Sequence, residues 1–460
     1  MIKLFNHYLH RRTLMYVFFD LGLVVLAVMA AIGWQSRDMA SVMPAAISSA
    51  FLLGIGMLAV NSGLGFYQRV HNRTLTASRA RAILALMLLL ALAVFVFGLF
   101  PLQLENRRAF AWAVAGSLVV VIALRLFAMH STSQSMVRTR ILVFGTGTRA
   151  KLVGRSLKRA DPSVDLVGYF AGPNEAVTEV SAWGILTPDK SLTDIVVDEG
   201  VDEIVVALAE RRGGSMPLRE LLDCKLHGVR VVDIATHFEK TLGQIRLDSV
   251  NPGWLIFGDG FNQGIARTLV KRFLDIVFAS VLIILAAPLM LVTGILILVE
   301  SGGPILYLQE RVGLNGRLFN VIKFRSMRTD AEKDGRPQWA QAGDSRVTRI
   351  GKIIRKLRID ELPQLFTVLV GDMSLVGPRP ERPYFVDQLT QEIPYYSVRL
   401  SVKPGLTGWA QVRYHYGATM EDSAEKLQYD LYYVKNHTWF LDLVVLFETI
   451  GVVLTGKGAQ

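Results

Sequence analysis

Lys271-Arg272-Phe273-Leu274-Asp275-Ile276-Val277-Phe278 opens an apolar segment that runs on through Ala286-Ala287-Pro288-Leu289 to Leu298-Val299, and its reading decides the fold. From Phe273 to Val299 the only charge is Asp275, and at about 1.5 Å per residue such a helix is long enough for a hydrocarbon core of about 30 Å. Both flanks are cationic: Lys271 and Arg272 precede it, and Arg311, Arg317, Lys323, Arg325 and Arg328 follow. That excess is the mark of the cytoplasmic side on each flank. Pro288, near the middle, removes a backbone hydrogen bond and kinks a helix. A helix broken at Pro288 that enters and leaves by one leaflet satisfies both flanks, so 273–299 is expected to be re-entrant.

Toward the N-terminus lie four more apolar runs, Leu14 to Trp34, Met43 to Val60, Ala82 to Leu102 and Ala109 to Leu126, whose only charges are Asp20 and Arg125. A soluble bundle needs a polar outer face, and these runs leave none. Lys3, Arg11 and Arg12, then Arg69, Arg73, Arg79 and Arg81, then Arg138 and Arg140 occupy one set of flanks; the opposite loops carry only Arg37 with Asp38, and Glu105 with Arg107 and Arg108. Both ends of a four-span unit over 1–130 are therefore expected in the cytoplasm.

Composition agrees. Of 460 residues 51% are hydrophobic and 19% charged, too apolar for an ordinary soluble chain. Fifty Lys and Arg against 39 Asp and Glu leave +11, which suits lipid headgroups or phosphorylated substrates and does not point to nucleic acid. Cys224 is the single cysteine, which excludes an intramolecular disulfide and the stapled secreted class.

Over 131–262 the pattern turns to short β-rich runs alternating with amphipathic ones: Ile141 to Phe144, Lys151 to Arg159, Asp165 to Phe170, Asp202 to Leu208, Pro217 to His227 and Val229 to Ile234. Strands alternating with helices imply a parallel, Rossmann-like α/β domain. Its first turn, Gly145-Thr146-Gly147-Thr148-Arg149-Ala150, could place a phosphate at a helix N-terminus, yet Val167-Gly168-Tyr169-Phe170 ends the next strand without the acid that would hold a ribose. The domain reads as a scaffold for assembly or regulation, or else as a nucleotide site. Arg211-Arg212-Gly213-Gly214 reads as a solvated loop.

The remainder, 263–460, is dense in motifs. In order come Gln309-Glu310-Arg311, Lys323-Phe324-Arg325-Ser326-Met327, a basic run from Arg346 to Arg358, Asp360-Glu361-Leu362-Pro363, and Gly377-Pro378-Arg379-Pro380-Glu381-Arg382-Pro383. Within the basic run Val347, Ile350, Ile353, Ile354 and Leu357 recur at helical spacing, which suits an interfacial helix. Lys323 and Arg325 alternate with Phe324, so in an extended segment both cations face one way, as a diphosphate clamp would need. Arg379 stands between Pro378 and Pro380, whose fixed φ angles limit the backbone that presents it.

This stretch, from about 265 to 460, resembles the catalytic domain of the bacterial polyprenyl-phosphate hexose-1-phosphate transferases, the monotopic phosphoglycosyl transferases that initiate exopolysaccharide and O-antigen assembly. The preceding spans and α/β domain resemble the large form of that family. The resemblance implies an α-rich catalytic domain on the cytoplasmic face of the bacterial inner membrane. It further implies a UDP-sugar donor, a UDP-hexose such as UDP-glucose, and a polyprenyl phosphate acceptor, with UMP released. Asp360 would be the nucleophile that carries a phosphosugar intermediate, and Glu361 a neighbouring ligand of Mg²⁺. Pro378, Arg379 and Pro380 would border the nucleotide. From their place at the mouth of the membrane helix, Lys271 and Arg272 could meet the lipid phosphate, and juxtamembrane anchoring explains them equally well. Membrane lipids are expected partners, and a homodimer is the general expectation for such a chain. Where the family often has Ser-Pro at the helix break, this chain has Ala287-Pro288. Lys403 to Gln411 and Tyr429 to Tyr433 also resemble family blocks, their aromatics expected as core or anchors. The last run, Leu441 to Leu454, is too short to span and is expected to rest on the membrane. Two rivals stand against this reading: a glycosyltransferase that moves the sugar alone, and a membrane-anchored nucleotide sensor or oxidoreductase centred on Gly145 and Gly147.

Overall fold

The computed structural model describes residues 2–4, 7–9, 11–34, 39–67, 75–99, 107–131, 139–160, 164–172, 175, 178–181, 184–186, 190–208, 216–249, 260–261, 264–329, 346–414 and 419–455. The Arg211 to Gly214 loop lies outside them, as do Arg37, Arg69, Arg73 and Arg138 of the basic residues used to orient the first spans.

After a short hairpin, β1 (Ile2–Leu4) with β2 (His7–Leu9), come four long helices: α1 (Arg11–Gly33), α2 (Met39–Gly63), α3 (Leu75–Leu99) and α4 (Arg107–Ser131). They cover the four apolar runs, with α3 starting earlier than expected, so that Arg79 and Arg81 sit in its opening turns and not in a loop. The helices pack as neighbours, α1 on α2 and α4, α3 on α2 and α4, around Val24, Leu53, Leu89 and Leu118. Their outer faces expose large apolar side chains, Trp112 by 78% and Val94 by 77%, which water would penalise and lipid would not. The two charges that broke the runs find each other inside: Arg125 lies 2.9 Å from Asp20, which also accepts from the Tyr67 hydroxyl at 2.7 Å. With the long helix described below, five helices among the described residues are long and apolar enough to cross a membrane. This is a membrane protein.

The middle of the chain forms an α/β unit. Strands β3 (Thr139–Phe144), β4 (Val164–Phe170), β5 (Glu203–Val206) and β6 (Arg230–Asp233) make one parallel sheet in the order β4-β3-β5-β6. Helices α5 (Thr148–Ala160), α6 (Leu192–Asp198), α7 (Leu218–Leu226) and α8 (Ile234–Leu242) cover both faces. The short α6 carries too few residues for a periodic signal, which is why the sequence reading passed over it.

From Gly264 the chain enters α9 (Ile265–Ser301). The expected break needs a correction: helical backbone continues through Pro288, so any change of direction there is a bend inside one helix. The anchorage of its two ends bears on that bend. Near the first end, Arg272 donates to the Val368 and Leu369 carbonyls at 2.6 Å each, and Asp275 accepts from the Ser374 hydroxyl and the Leu375 amide, both at 3.1 Å. At the other end Glu300 accepts from the Arg349 and Ile350 amides at 2.8 and 3.0 Å. Both ends of a helix about 55 Å long if straight thus seat on one folded unit.

That unit holds the antiparallel pair β7 (Leu306–Val312) and β8 (Leu318–Phe324), helix α10 (Arg349–Lys356), a 3-10 turn at Ile359–Glu361 and α11 (Gln364–Val370). It continues with β9 (Ser374–Val376), paired in parallel with β10 (Gly405–Thr407), then α12 (Pro383–Glu392), α13 (Trp409–Arg413), α14 (Met420–Asn436) and α15 (Trp439–Thr455). Its core gathers Leu365, Val368, Phe385, Trp409, Leu431 and Tyr432. The family-block aromatics are therefore core: Trp409 stacks on Tyr432, and its Nε1 donates to the Gly243 carbonyl at 2.7 Å, fastening the α/β unit. Lys435 and Asn436 close the same seam on Glu239, each at 2.8 Å.

α15 packs against α2, where Gly63 and Gly451 bring two backbones together. A Cβ on Gly451 would run into the Gly63 carbonyl oxygen. Gly451→Leu is accordingly expected to lower stability by roughly 1–3 kcal/mol through overpacking, read as a fall in the thermal midpoint in detergent, with Gly98→Leu, which meets open space, as the unchanged control.

Candidate active site

The basic run ends α10, and the chain then reverses through Arg358, held in the left-handed region at φ 58°. The reversal delivers Ile359–Glu361 as a tight 3-10 turn and aims the Glu361 side chain inward, 8% exposed. A lone buried carboxylate is costly, and three cations from three elements compensate it. Arg379 Nη2 donates to Glu361 Oε1 at 2.7 Å; Lys323 Nζ, from β8, lies 3.6 Å away and Arg358 Nη1 3.7 Å away.

The electrostatics separate the two acids. Burial works against an ionised Glu361, but Arg379, Lys323 and Arg358 together outweigh it and hold that carboxyl well below the usual range. Burial pushes the Asp360 carboxyl up to about 6, with the charge on Glu361 adding to the rise. Burial also brings the Lys323 ammonium down to about 8. Asp360 Oδ1 is buried and without a hydrogen-bond partner among the described residues. Glu361 is thus the fixed anion that organises the cations, and Asp360 is the oxygen left uncommitted. A desolvated carboxylate with an uncommitted oxygen beside positive charge is suited to attack a phosphorus that carries negative oxygens.

The loop bearing Arg379 is held from behind. The Pro378 carbonyl accepts from the Gly405 amide at 2.9 Å, and the Pro380 carbonyl from Arg311 Nη1 at 2.9 Å. Arg399 Nη2 donates to the Arg379 carbonyl at 2.9 Å while its Nε donates to Asp430 at 3.0 Å and its Nη1 to the Tyr396 hydroxyl at 2.8 Å. Arg399 was absent from the sequence reading and Asp430 stood in it only as part of the Tyr429 to Tyr433 block; an isolated arginine and an aspartate 31 residues on carry no local signal of being paired.

Of the residues expected at the site, the structure brings Asp360, Glu361, Lys323 and Arg379 together, with Pro378 and Pro380 beside them. It does not bring Lys271, Arg272 or Arg325. Lys271 Nζ pairs with Asp442 at 2.6 Å and donates to the Val376 carbonyl at 3.2 Å; Arg272 caps α11 as described. Arg325 turns to the end of α9, because β8 stops at Phe324 and the alternation that would align it with Lys323 stops there too.

The turn at Gly145 answers the rival reading. Glu175 lies where a bound phosphate would: its carboxylate accepts from the Thr146 and Gly147 amides at 2.8 and 2.9 Å and from the Thr146 hydroxyl at 3.0 Å. The chain itself fills the cradle at the N-terminus of α5, and a nucleotide-centred activity is not favoured.

Cations around a buried acid pair, in one folded unit with a long apolar helix, define a candidate catalytic site in a membrane protein. Residues 266–456 match the family described as bacterial sugar transferase. A UDP-glucose:undecaprenyl-phosphate glucose-1-phosphate transferase of Xanthomonas campestris is 31% identical over 364 residues, covering 76% of this chain and 74% of that protein. A UDP-N-acetylgalactosamine-undecaprenyl-phosphate N-acetylgalactosaminephosphotransferase of Aeromonas hydrophila is 48% identical over 242 residues, 53% of this chain and 56% of that protein. A UDP-glucose:undecaprenyl-phosphate glucose-1-phosphate transferase of Caulobacter vibrioides is 44% identical over 199 residues, 42% of this chain and 73% of that protein. The chain belongs to the bacterial sugar transferase family, in which these relatives are phosphotransferases.

Proposed function

We propose that the protein transfers a hexose-1-phosphate from a UDP-sugar to polyprenyl phosphate, giving polyprenyl-diphosphate-sugar and UMP and so initiating exopolysaccharide synthesis. The observation that carries the reading is the uncommitted buried oxygen of Asp360 beside a Glu361 that three cations keep ionised. In the first step an Asp360 oxygen bonds to the β-phosphorus, the bond from that phosphorus to the bridging oxygen breaks, and UMP leaves with the electron pair. In the second an oxygen of the polyprenyl phosphate attacks the same phosphorus and the Asp360 carboxylate departs. Arg379 and Lys323 stabilise the charge that develops on the phosphoryl oxygens.

Mg²⁺ belongs to the same proposal. Glu361 and the donor's phosphate oxygens would hold the ion, hard oxygen ligands in line with its use of one or two carboxylates plus phosphates. Bound there it would offset charge on the departing nucleotide.

The membrane arrangement follows from the anchorage of α9. If its ends stood on opposite leaflets, the strongly basic α10 and the turn joining it to α11 would have to lie across hydrocarbon; ends on one leaflet avoid this, which supports a re-entrant α9. The reading places α1 to α4 as a four-span unit, the α/β unit as a Rossmann-like scaffold, and the catalytic unit on the cytoplasmic face of the inner membrane.

Product analysis tests the chemistry. In nanodiscs with undecaprenyl phosphate and a panel of UDP-glucose, UDP-galactose and UDP-N-acetylgalactosamine, UMP is the expected nucleotide product. Release of UDP would overturn the proposal in favour of transfer of the sugar alone.

A further inference from the structure

Past Pro288, an apolar groove of about 580 Å³ opens between α9 and the chain that leaves it, lined by Gly294, Leu298, Pro304, Ile305, Leu306 and Phe324 among others. At its edge lies Arg325, next in sequence to Phe324 and 6% exposed. Its Nη2 donates to the Ser301 and Gly302 carbonyls at 3.0 and 2.7 Å and to the Ser301 hydroxyl at 2.7 Å, all at the C-terminal end of α9. Its Nε and Nη1 are buried and donate to nothing among the described residues. A guanidinium buried with two donors unused is costly, and an anion at that point removes the cost.

A groove lined by apolar residues, next to a buried cation whose backbone amide donates to one of them, Ile305, at 2.9 Å and whose side chain has spare donors, has the character of a site for an amphiphile with one greasy chain and one anionic head. The groove is on the arm of α9 that faces lipid, and it adjoins the chemistry: Phe324 packs in one cluster with Ile297, Ile354 and Ile359, and Ile359 immediately precedes Asp360. We propose that this groove takes the first isoprene units of the polyprenyl phosphate acceptor and that Arg325 holds its phosphate, with the rest of the chain left in the bilayer. The proposal rests on the transferase reading above and assigns that reading's acceptor a place distinct from the Lys323 and Arg379 cluster where the donor is handled. It also gives Arg325 a task that its separation from Lys323 had left open.

The experiment uses the full chain in nanodiscs, with undecaprenyl phosphate and the short farnesyl phosphate as acceptors. A Cβ on Gly294 would meet Ile305 at 3.6 Å, ordinary contact, so the larger side chain of Gly294→Leu extends into the groove. Gly294→Leu is expected to raise the KM for undecaprenyl phosphate about tenfold with little change in kcat, and to narrow the advantage of the long acceptor over the short one. Arg325→Gln is expected to raise the KM for both acceptors alike, since it acts on the phosphate and not on the chain. An unchanged acceptor KM in both variants would overturn the proposal. A photoreactive group on the first isoprene unit should label residues 294–306; labelling suppressed equally by excess phosphatidylglycerol would show a general lipid crevice and overturn it too. Exchange of labelled UMP into UDP-sugar by the unmodified protein, without acceptor, reports the first half-reaction alone. Its absence would remove the transferase reading, whereas its presence with unaltered acceptor KM removes only the groove.

Discussion

Asp360→Asn is expected to lower sugar-phosphate transfer by roughly 10⁴ to 10⁶-fold, the scale on which loss of a covalent nucleophile is felt. The substitution keeps shape and volume, so the cost falls on chemistry. An amide oxygen is a far poorer nucleophile than a carboxylate and cannot become a stable leaving group for the second step. Glu361 and its three cations stay as they are, since none of the three ion pairs involves Asp360. Donor binding should therefore persist while UMP release and UMP exchange both vanish. The check is single-turnover UMP release together with intact-mass detection of the phosphosugar adduct in the parent protein and its loss in the variant. A fall of less than about tenfold would show that Asp360 is not the attacking group.

Arg399→Met is expected to destabilise the catalytic unit by about 3–5 kcal/mol, the cost of stranding a buried charge. Arg399 is buried, Asp430 is 2% exposed, and their 2.8 Å contact is the compensation for both. Burial already raises the Asp430 carboxyl above its ordinary range despite Arg399. Removing the guanidinium also frees the Arg379 carbonyl, so the loop that presents Arg379 to Glu361 loosens. The measurement is thermal unfolding in detergent alongside donor KM. The double variant Arg399→Met, Asp430→Leu should recover much of the stability, because no charge is then stranded, yet keep the raised donor KM, because the loop is still unheld. Recovery of both together would show that Arg399 acts on stability alone.

Much of this molecule was legible along the chain. The apolar runs announced their helices because hydropathy is a local property, and Asp360, Glu361, Lys323 and Arg379 stood in recognisable blocks. The errors are as instructive. Pro288 suggested a break, but the helix continues through it, because a proline removes one backbone hydrogen bond and can bend a helix without ending it. The final apolar run gave no sign of its partner: α15 packs on α2 through a glycine pair no periodicity marks. The Gly145 turn looked able to take a phosphate, and a carboxylate from 28 residues further on, Glu175 at Gly147, already sits there.

By itself the sequence determined which segments are apolar enough to meet lipid and which acids are candidates for chemistry, since each depends on residue type and near neighbours. Only the tertiary structure decided which cations serve those acids. Lys271, Arg272, Lys323, Arg325 and Arg379 are alike in charge, but Lys323 and Arg379 flank Glu361, Lys271 and Arg272 fasten the start of α9 to its unit, and Arg325 binds the carbonyls at that helix's other end. Charge is carried by the side chain; the work it does is set by the distance and burial that folding imposes.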